Sequence, residues 1–317
     1  MSRLNELRMI ARVAQMYHVE GRRQADIANH LHLSQATVSR MLKRAVAEEI
    51  VRTTIVAPSG TYAELELALR SQFGLSEAIV VECAEDRDGA IMARIGEAAA
   101  HFLEATLRDG EIIGVSSWSE TILKMVENIH PMKSARARYV VQTLGGMGDP
   151  TVQIHANHLT ARLARLTGAE ARLLSAPGVT SSLAAKQALM DDQFVRETQA
   201  LFQQITLAIV GIGAMQPSNM LARSGNVFSS RELAEIEVAG GVGDISLRFF
   251  NSGGGLVKTP LDERVIGMSL EELAQIDRVI ALAGGQAKVG AIRSALKMDI
   301  IDILVTDKFT AERLTTT

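Results

Sequence analysis

The stretch Gln24–Lys43, QADIANHLHLSQATVSRMLK, decides how the N-terminal part of the chain is read. Apolar residues recur at helical spacing on either side of a short break. The spacing predicts a first helix from about Arg22 to Leu31, burying Ile27, Ala28 and Leu31, and a second from Gln35, burying Val38, Met41 and Leu42. His32-Leu33-Ser34 is the turn, with Leu33 plugging the corner and Ser34 placed as an N-cap. Ala28 is informative because two helices crossing steeply need a methyl-sized side chain where they touch. His32 stands where such turns most often carry glycine, so a left-handed backbone is expected there. This is a helix-turn-helix pattern. The polar face of the second helix carries Gln35, Thr37, Ser39, Arg40 and Arg44, and Gln and Arg are the side chains that pair bidentately with adenine and guanine edges in a major groove. Gln35, Thr37 and Arg40 are therefore read as base-facing, Arg22, Lys43 and Arg44 as phosphate-facing, and Ser39 as a further DNA-binding residue.

Working outward, residues 3–19 form an amphipathic helix with Leu4, Leu7, Ile10, Ala11, Ala14 and Tyr17 on one face, suited to pack under the helix-turn-helix. Ile50–Val56 is rich in β-branched residues and reads as a short strand or wing, with Arg52 beside a phosphate or in solvent. Pro58-Ser59-Gly60 marks a boundary, which divides the chain into a DNA-binding domain, 1–57, and a larger domain, 58–317. Residues 1–56 hold nine Lys/Arg against five Asp/Glu, whereas the whole 317-residue chain carries a net charge of −3. A basic head followed by an acidic body steers the head towards a polyanion.

The larger part has the composition of a core-forming domain: 47% of all residues are hydrophobic and 22% charged. Apolar runs at Ala78–Val81, Ile112–Val115, Tyr139–Leu144, Ala171–Leu174, Leu207–Ile212, Ile245–Phe250, Val279–Leu282 and Ile301–Val305 alternate with helical stretches such as Ile91–Leu107, Ser119–Ile129, Gln153–Leu166 and Ala287–Lys297. Continuous apolar strands alternating with helices predict an α/β domain with a mostly parallel sheet covered on both faces. Ligands of such sheets bind at the carboxyl ends of the strands. The loops there are Gly114–Thr121 (GVSSWSET), Gly145–Asp149 (GGMGD), Gly211–Gly213, Gly240–Asp244 and Gly284–Lys288. Hydroxyls and free N–H groups at a strand-to-helix turn make an anion or polyol site, and Trp118 is either a sugar platform or a core indole. None of the glycine loops forms a dinucleotide or Walker A fingerprint, so no cofactor is expected.

Cys83 is the only cysteine, so no intrachain disulfide is formed, and it reads as a small core residue. The first residues, MSRLNELRMIARVAQMY, read as an amphipathic charged helix, so no signal peptide is expected, and no stretch reaches the roughly 20 apolar residues of a membrane span. A cytoplasmic protein without a membrane partner is expected.

The order of the loops, from GVSSWSET through VVQTLGGMGD, LLSAPGVTSS, AIVGIGAM and GVGDISLRFF to VIGMSLEELAQIDRVIALAGGQAKVGAIRSAL and IDILVTDKFTAERL, resembles the SorC family of bacterial sugar-responsive transcriptional regulators. The resemblance implies an effector domain related in fold to ribose-5-phosphate isomerase and glucosamine-6-phosphate deaminase. It also implies a sugar, polyol or sugar-phosphate effector, double-stranded operator DNA as partner, and a homo-oligomer, dimer or tetramer, assembled through the effector domains. By position it carries effector contacts to Ser116, Trp118, Ser119 and Thr121, to Asp149, Gln153 and Asn157, and to Asp244, Lys288 and Asp307. Where the family commonly has Trp-Gly-Arg-Thr, this chain has Trp118-Ser119-Glu120-Thr121. An arginine favours a phosphate and Glu120 repels one, so an unphosphorylated effector is expected unless Lys288 or Arg248 supplies the charge.

Two other classes of function are weighed against a ligand-controlled regulator of a carbohydrate or polyol operon. A sugar-phosphate isomerase or deaminase with a DNA-binding head would use Asp244, Lys288 and Asp307 as acid/base groups. Against it, His101, His130, His155 and His158 are scattered, and no metal-ligand spacing is seen. A structural DNA-bridging protein would show no small-molecule response.

Overall fold

Three helices, α1 (Arg3–His18), α2 (Gln24–Leu31) and α3 (Gln35–Ala47), build the N-terminal unit around Ile10, Val13, Ile27, Val38, Leu42 and Ala45. Ala28 is buried at the α2–α3 crossing, and its carbonyl accepts the Leu33 amide at 2.9 Å. His32 has φ 54 and ψ 42, the left-handed conformation its position requires. Ser34 caps α3, its hydroxyl accepting the Thr37 amide at 3.1 Å. The computed structural model describes residues 3–51, 60–133, 135–226 and 228–316. The expected wing, with Arg52, and Pro58-Ser59 lie outside the described residues. The chain divides into two compact units, Met1–Pro58 and Ser59–Thr317.

The larger unit runs α4 (Ala63–Phe73), β1 (Glu77–Val81), α5 (Asp88–Thr106), β2 (Ile112–Val115), α6 (Glu120–Asn128), β3 (Tyr139–Gln142), α7 (Pro150–Thr167), β4 (Glu170–Arg172), α8 (Leu183–Met190), α9 (Gln193–Gln199), β5 (Leu207–Gly211) and β6 (Gly213–Ala214). It continues through α10 (Asn219–Ser224), α11 (Ser230–Val238), β7 (Gly241–Ile245), β8 (Arg248–Asn251), α12 (Leu270–Leu273), β9 (Val279–Leu282), α13 (Val289–Leu296), β10 (Ile303–Asp307) and α14 (Lys308–Thr315). Seven strands form one parallel sheet in the order β1-β10-β9-β5-β2-β3-β4.

Strand alternation builds both faces of this sheet. Ala78, Val80, Ile112, Val141, Ala208, Val210, Ala281 and Leu304 pack on one side, with Leu69 of α4, Ile292 of α13 and Leu314 of α14. Val81, Ile113, Val115, Val140, Ile209, Ile280 and Val305 pack on the other, with Ile91, Ile95, Ile122 and Leu159 of α5, α6 and α7. Helices α5 and α6 meet closely at Gly96, where an added Cβ would lie 2.6 Å from the Lys124 Cβ. Cys83 belongs to the second face, and burial pushes its thiol up to about 11.

One expected strand is corrected. The apolar run Ile245–Phe250 is not a strand of the main sheet but the turn of a hairpin, β7–β8, which joins β6 in a separate antiparallel sheet. Ser246 and Leu247, at φ 53 and 64, form a tight turn with two left-handed residues. The Asp244 carboxylate holds it, Oδ2 accepting the Leu247 amide at 2.8 Å. The helix expected from Ala287 begins at Val289, after a 3-10 turn over Gln286–Lys288.

Candidate functional site

The strand order fixes where a ligand can sit. From β2 the chain passes through α6 to β3 on one side. From β5 it goes on to β9 on the other. The carboxyl ends of β2 and β5, which are neighbours, are therefore a topological switch point. The β2 end leads into Ser116–Ser119 and α6. The β5 end leads at once into β6, and β6 pairs with β7 so that Gly213 faces Asp244. Asp244 is thus brought over the switch point by an element that the parallel sheet does not contain.

Glycine is required where these carboxylates and hydroxyls approach the backbone. A Cβ on Gly213 would fall 2.0 Å from Asp244 Oδ1, one on Gly211 would fall 3.0 Å from Ser119 Oγ, and one on Gly284 would fall 2.3 Å from Asp307 Oδ2. Asp244 is 9% exposed, and burial pushes its carboxyl up to about 6, although the Leu247 amide and the Lys288 charge work the other way. Lys288 follows β9 and precedes α13. Burial lowers its ammonium pKa against the opposing charges of Asp244, Asp88 and Glu120. Glu120, the first residue of α6, accepts the Met220 amide of α10 at 3.0 Å. Ser119 caps α6, its Oγ accepting the Ile122 amide at 3.4 Å. Ser119, Glu120, Asp244 and Lys288 therefore form one polar group at the switch point.

The other residues singled out in the sequence fall elsewhere or serve the scaffold. Trp118 is 3% exposed; its indole N–H donates to the Gly145 carbonyl at 2.7 Å and its ring packs with Leu144, Ala156, Met220 and Phe249. No ring face is left for a sugar, and the tryptophan instead ties the β2 loop to the glycine loop after β3. Asp307 is 0% exposed and its carboxylate is fully engaged: Oδ1 accepts the Thr310 amide, and Oδ2 accepts the Thr310 hydroxyl and the Gly285 amide. It is the N-cap of α14 and a clamp on the Gly284-Gly285 turn. Ser116 and Thr121 are buried. Asp149 caps α7 by accepting the Thr151 amide and hydroxyl, and these bonds hold its carboxyl below the usual range. Gln153 accepts the Gly148 amide at 3.2 Å, and Asn157 is half-buried one turn further along α7. Arg248 does not supply a free charge. Its guanidinium is buried and donates to the Asp262 carboxylate and carbonyl and to the Gly267 and Met268 carbonyls.

Two contributors escaped the sequence reading. Asp88 opens α5 and acts on Lys288 from across the edge. Gln142, at the end of β3, is fully buried; it donates to Ser117 Oγ at 2.6 Å and accepts the Leu174 amide at 3.0 Å. An acidic residue just after the loop from β1 was the available signal for Asp88; nothing local marked Gln142.

In the N-terminal unit, Gln35, Arg40 and Lys43 are exposed on α3, and Thr37 and Ser39 are half-buried. The Arg40 guanidinium donates to Thr37 Oγ1 at 3.3 Å. Arg22 pairs with Glu20 at 2.8 Å, and Arg44 pairs with Glu6 and Glu48. Among the described residues no helix is long and apolar enough to cross a membrane, and no group of three or more His, Cys, Asp or Glu is placed to hold a metal ion.

The larger unit is a mostly parallel α/β domain with a polar group at its topological switch point, preceded in the chain by a three-helix unit. Residues 58–316 match the family described as "Putative sugar-binding domain". The sorbitol operon regulator of Klebsiella pneumoniae is 30% identical over 316 residues, covering 99% of each chain. The full-length crystal structure of that protein aligns with a TM-score of 0.73 over 98% of this chain and 99% of that one, at 29% identity. The erythritol catabolism regulatory protein EryD of Brucella abortus is 31% identical over 96% of this chain and 95% of its own. The structure described as "Putative sugar-binding domain of transcriptional regulator DeoR" from Pseudomonas syringae pv. tomato is 40% identical, with a TM-score of 0.64 over 81% of this chain and 100% of that one. The chain belongs to the SorC family of sugar-binding transcriptional regulators.

Proposed function

We propose that this regulator binds operator DNA through a helix-turn-helix head, residues 1–57, and that residues 58–317 form an effector and oligomerisation domain controlled by a sugar, polyol or sugar phosphate. The observation that carries the DNA reading is the turn at His32–Ser34. A left-handed residue followed by a capped helix start leaves Gln35, Arg40 and Lys43 outward on α3, the arrangement of a recognition helix. Gln35, Thr37 and Arg40 face base edges, with Ser39 beside them on the DNA-facing side; Lys43 takes a phosphate as it stands, and Arg22 and Arg44 do so on leaving their carboxylate partners. The effector sits at the β2/β5 switch point against Ser119, Asp244 and Lys288. Ser116, Trp118, Thr121 and Asp307 hold its walls, and Asp149, Gln153 and Asn157 form the adjoining rim. The larger unit is related in fold to ribose-5-phosphate isomerase and glucosamine-6-phosphate deaminase, and acts as a sensor rather than a catalyst. The relatives regulate sorbitol and erythritol genes, which supports a carbohydrate or polyol operon as target.

The test is fluorescence anisotropy with the DNA upstream of the chain's own operon, at fixed salt because phosphate contacts make affinity steeply salt-dependent. Arg40→Ala is expected to lose about 1–3 kcal/mol of specific binding and to relax specificity at one base position. Equal losses on operator and unrelated DNA would refute base reading by Arg40.

A further inference from the structure

Resting on the reading of the β2/β5 edge as the effector site, we infer that this site takes an uncharged polyol or sugar and excludes its phosphate ester, with Glu120 as the residue that sets the choice. The charges that act on Lys288 are Asp244, Asp88 and Glu120, all of them acidic. One ammonium thus stands among three carboxylates. Arg248, the arginine nearest in sequence to Asp244, spends its donors on Asp262 and two carbonyls and brings no charge to the edge. At the start of α6, where a phosphate would look for free amides, the Ile122 amide goes to Ser119 Oγ, and the helix opens with the carboxylate of Glu120 itself, whose charge opposes an anion there.

The free valences are acceptors. Asp244 uses Oδ2 for the Leu247 amide; its Oδ1 lies against the Gly213 backbone and carries no hydrogen bond among the described residues. Glu120 uses Oε1 for Met220 and likewise leaves Oε2. Acceptor oxygens want donors, and a hydroxyl donating to a carboxylate makes a short, charge-assisted bond. A polyhydroxy ligand supplies such donors and returns a lone pair to Lys288. A phosphate dianion brings acceptors only and meets repulsion from all three carboxylates. The Met220 bond adds a second consequence. Glu120 touches both the site and the start of α10, so a hydroxyl bound at Oε2 holds α10 in place through the same side chain.

The experiment is calorimetric titration of the full chain, wild type and variants, with inorganic phosphate and with D-glucose 6-phosphate, chloride being the ionic-strength control. E120Q keeps an oxygen for the Met220 amide while losing the charge, and E120R reverses it. D88N, at an exposed position, serves if neither folds by circular dichroism. The expected result is no saturable phosphate binding by the wild type, and saturable binding by the variants with a Kd at least about tenfold below the highest concentration tested on the wild type. Saturable phosphate binding by the wild type overturns the inference, and so does a folded set of variants that binds phosphate no better. Operator binding is measured alongside without ligand: its absence would count against the regulator reading, whereas phosphate binding with intact operator binding would count only against the choice of ligand.

Discussion

Asp244 is placed where a carboxylate is costly to ionise, and its behaviour with pH follows from that. Its folded-state pKa of about 6 lies above the ordinary 3.8. Below pH 3.8 both folded and unfolded states hold the proton. As pH rises the unfolded chain releases it first, so stability falls through this window and the loss is complete once pH exceeds the folded value. Asp244→Asn keeps an acceptor for the Leu247 amide and removes the charge. It is therefore expected to be more stable than wild type at pH 8 by about 3 kcal/mol, and the gap should close by pH 4. Urea unfolding at both pH values checks this; a variant less stable at pH 8 contradicts it. Trp118 makes a second residue-scale test. Trp118→Phe leaves the buried Gly145 carbonyl without its donor and is expected to cost about 1–3 kcal/mol, read as a lower Tm. Tryptophan itself was plain in the sequence, but its role was not, because the same residue serves equally as a sugar platform or as a core indole until its partner is seen.

At the scale of elements, local signals proved readable and long-range ones did not. The α2–α3 corner was legible because its requirements lie within twenty residues: apolar spacing, a methyl at Ala28, a cap at Ser34 and a strained position at His32. The hairpin β7–β8 was not. Ile245–Phe250 is a continuous apolar run, and its turn uses Ser246 and Leu247 where glycine or asparagine would have announced it. The carboxylate of Asp244 holds that turn in place of a favourable turn residue. The Glu120–Met220 bond joins residues a hundred positions apart, beyond any local pattern. Two substitutions test the elements. His32→Gly relieves a left-handed residue and is expected to stabilise the N-terminal unit by up to about 1 kcal/mol. Gly96→Ala forces α5 from the backbone of α6 and is expected to cost about 1–3 kcal/mol. Thermal unfolding of each variant reads both.

At the scale of the whole molecule, the hydrophobic clusters of the larger unit draw only on residues beyond position 60, and that of the N-terminal unit only on residues up to 51. Residues 59–317 alone are therefore expected to fold with an unchanged ligand affinity and to lose operator binding; circular dichroism and calorimetry check the first, anisotropy the second. The parallel sheet was legible from the alternation of apolar runs and helices, which reflects strands buried on both faces. Which loops meet at one edge depends on strand order, and the order is a property of the folded chain alone.

The central claim is that ligand at the β2/β5 edge controls DNA affinity. The most direct measurement is operator affinity at fixed salt, with and without a panel of sugars, polyols and their phosphates, for the wild type and for Lys288→Met. The account predicts that one uncharged compound changes the wild-type affinity by roughly 5- to 150-fold, the range of a coupling of about 1–3 kcal/mol, and that the Lys288→Met response is lost while ligand-free DNA binding is retained. A response that survives Lys288→Met unchanged would place the effector elsewhere and contradict it.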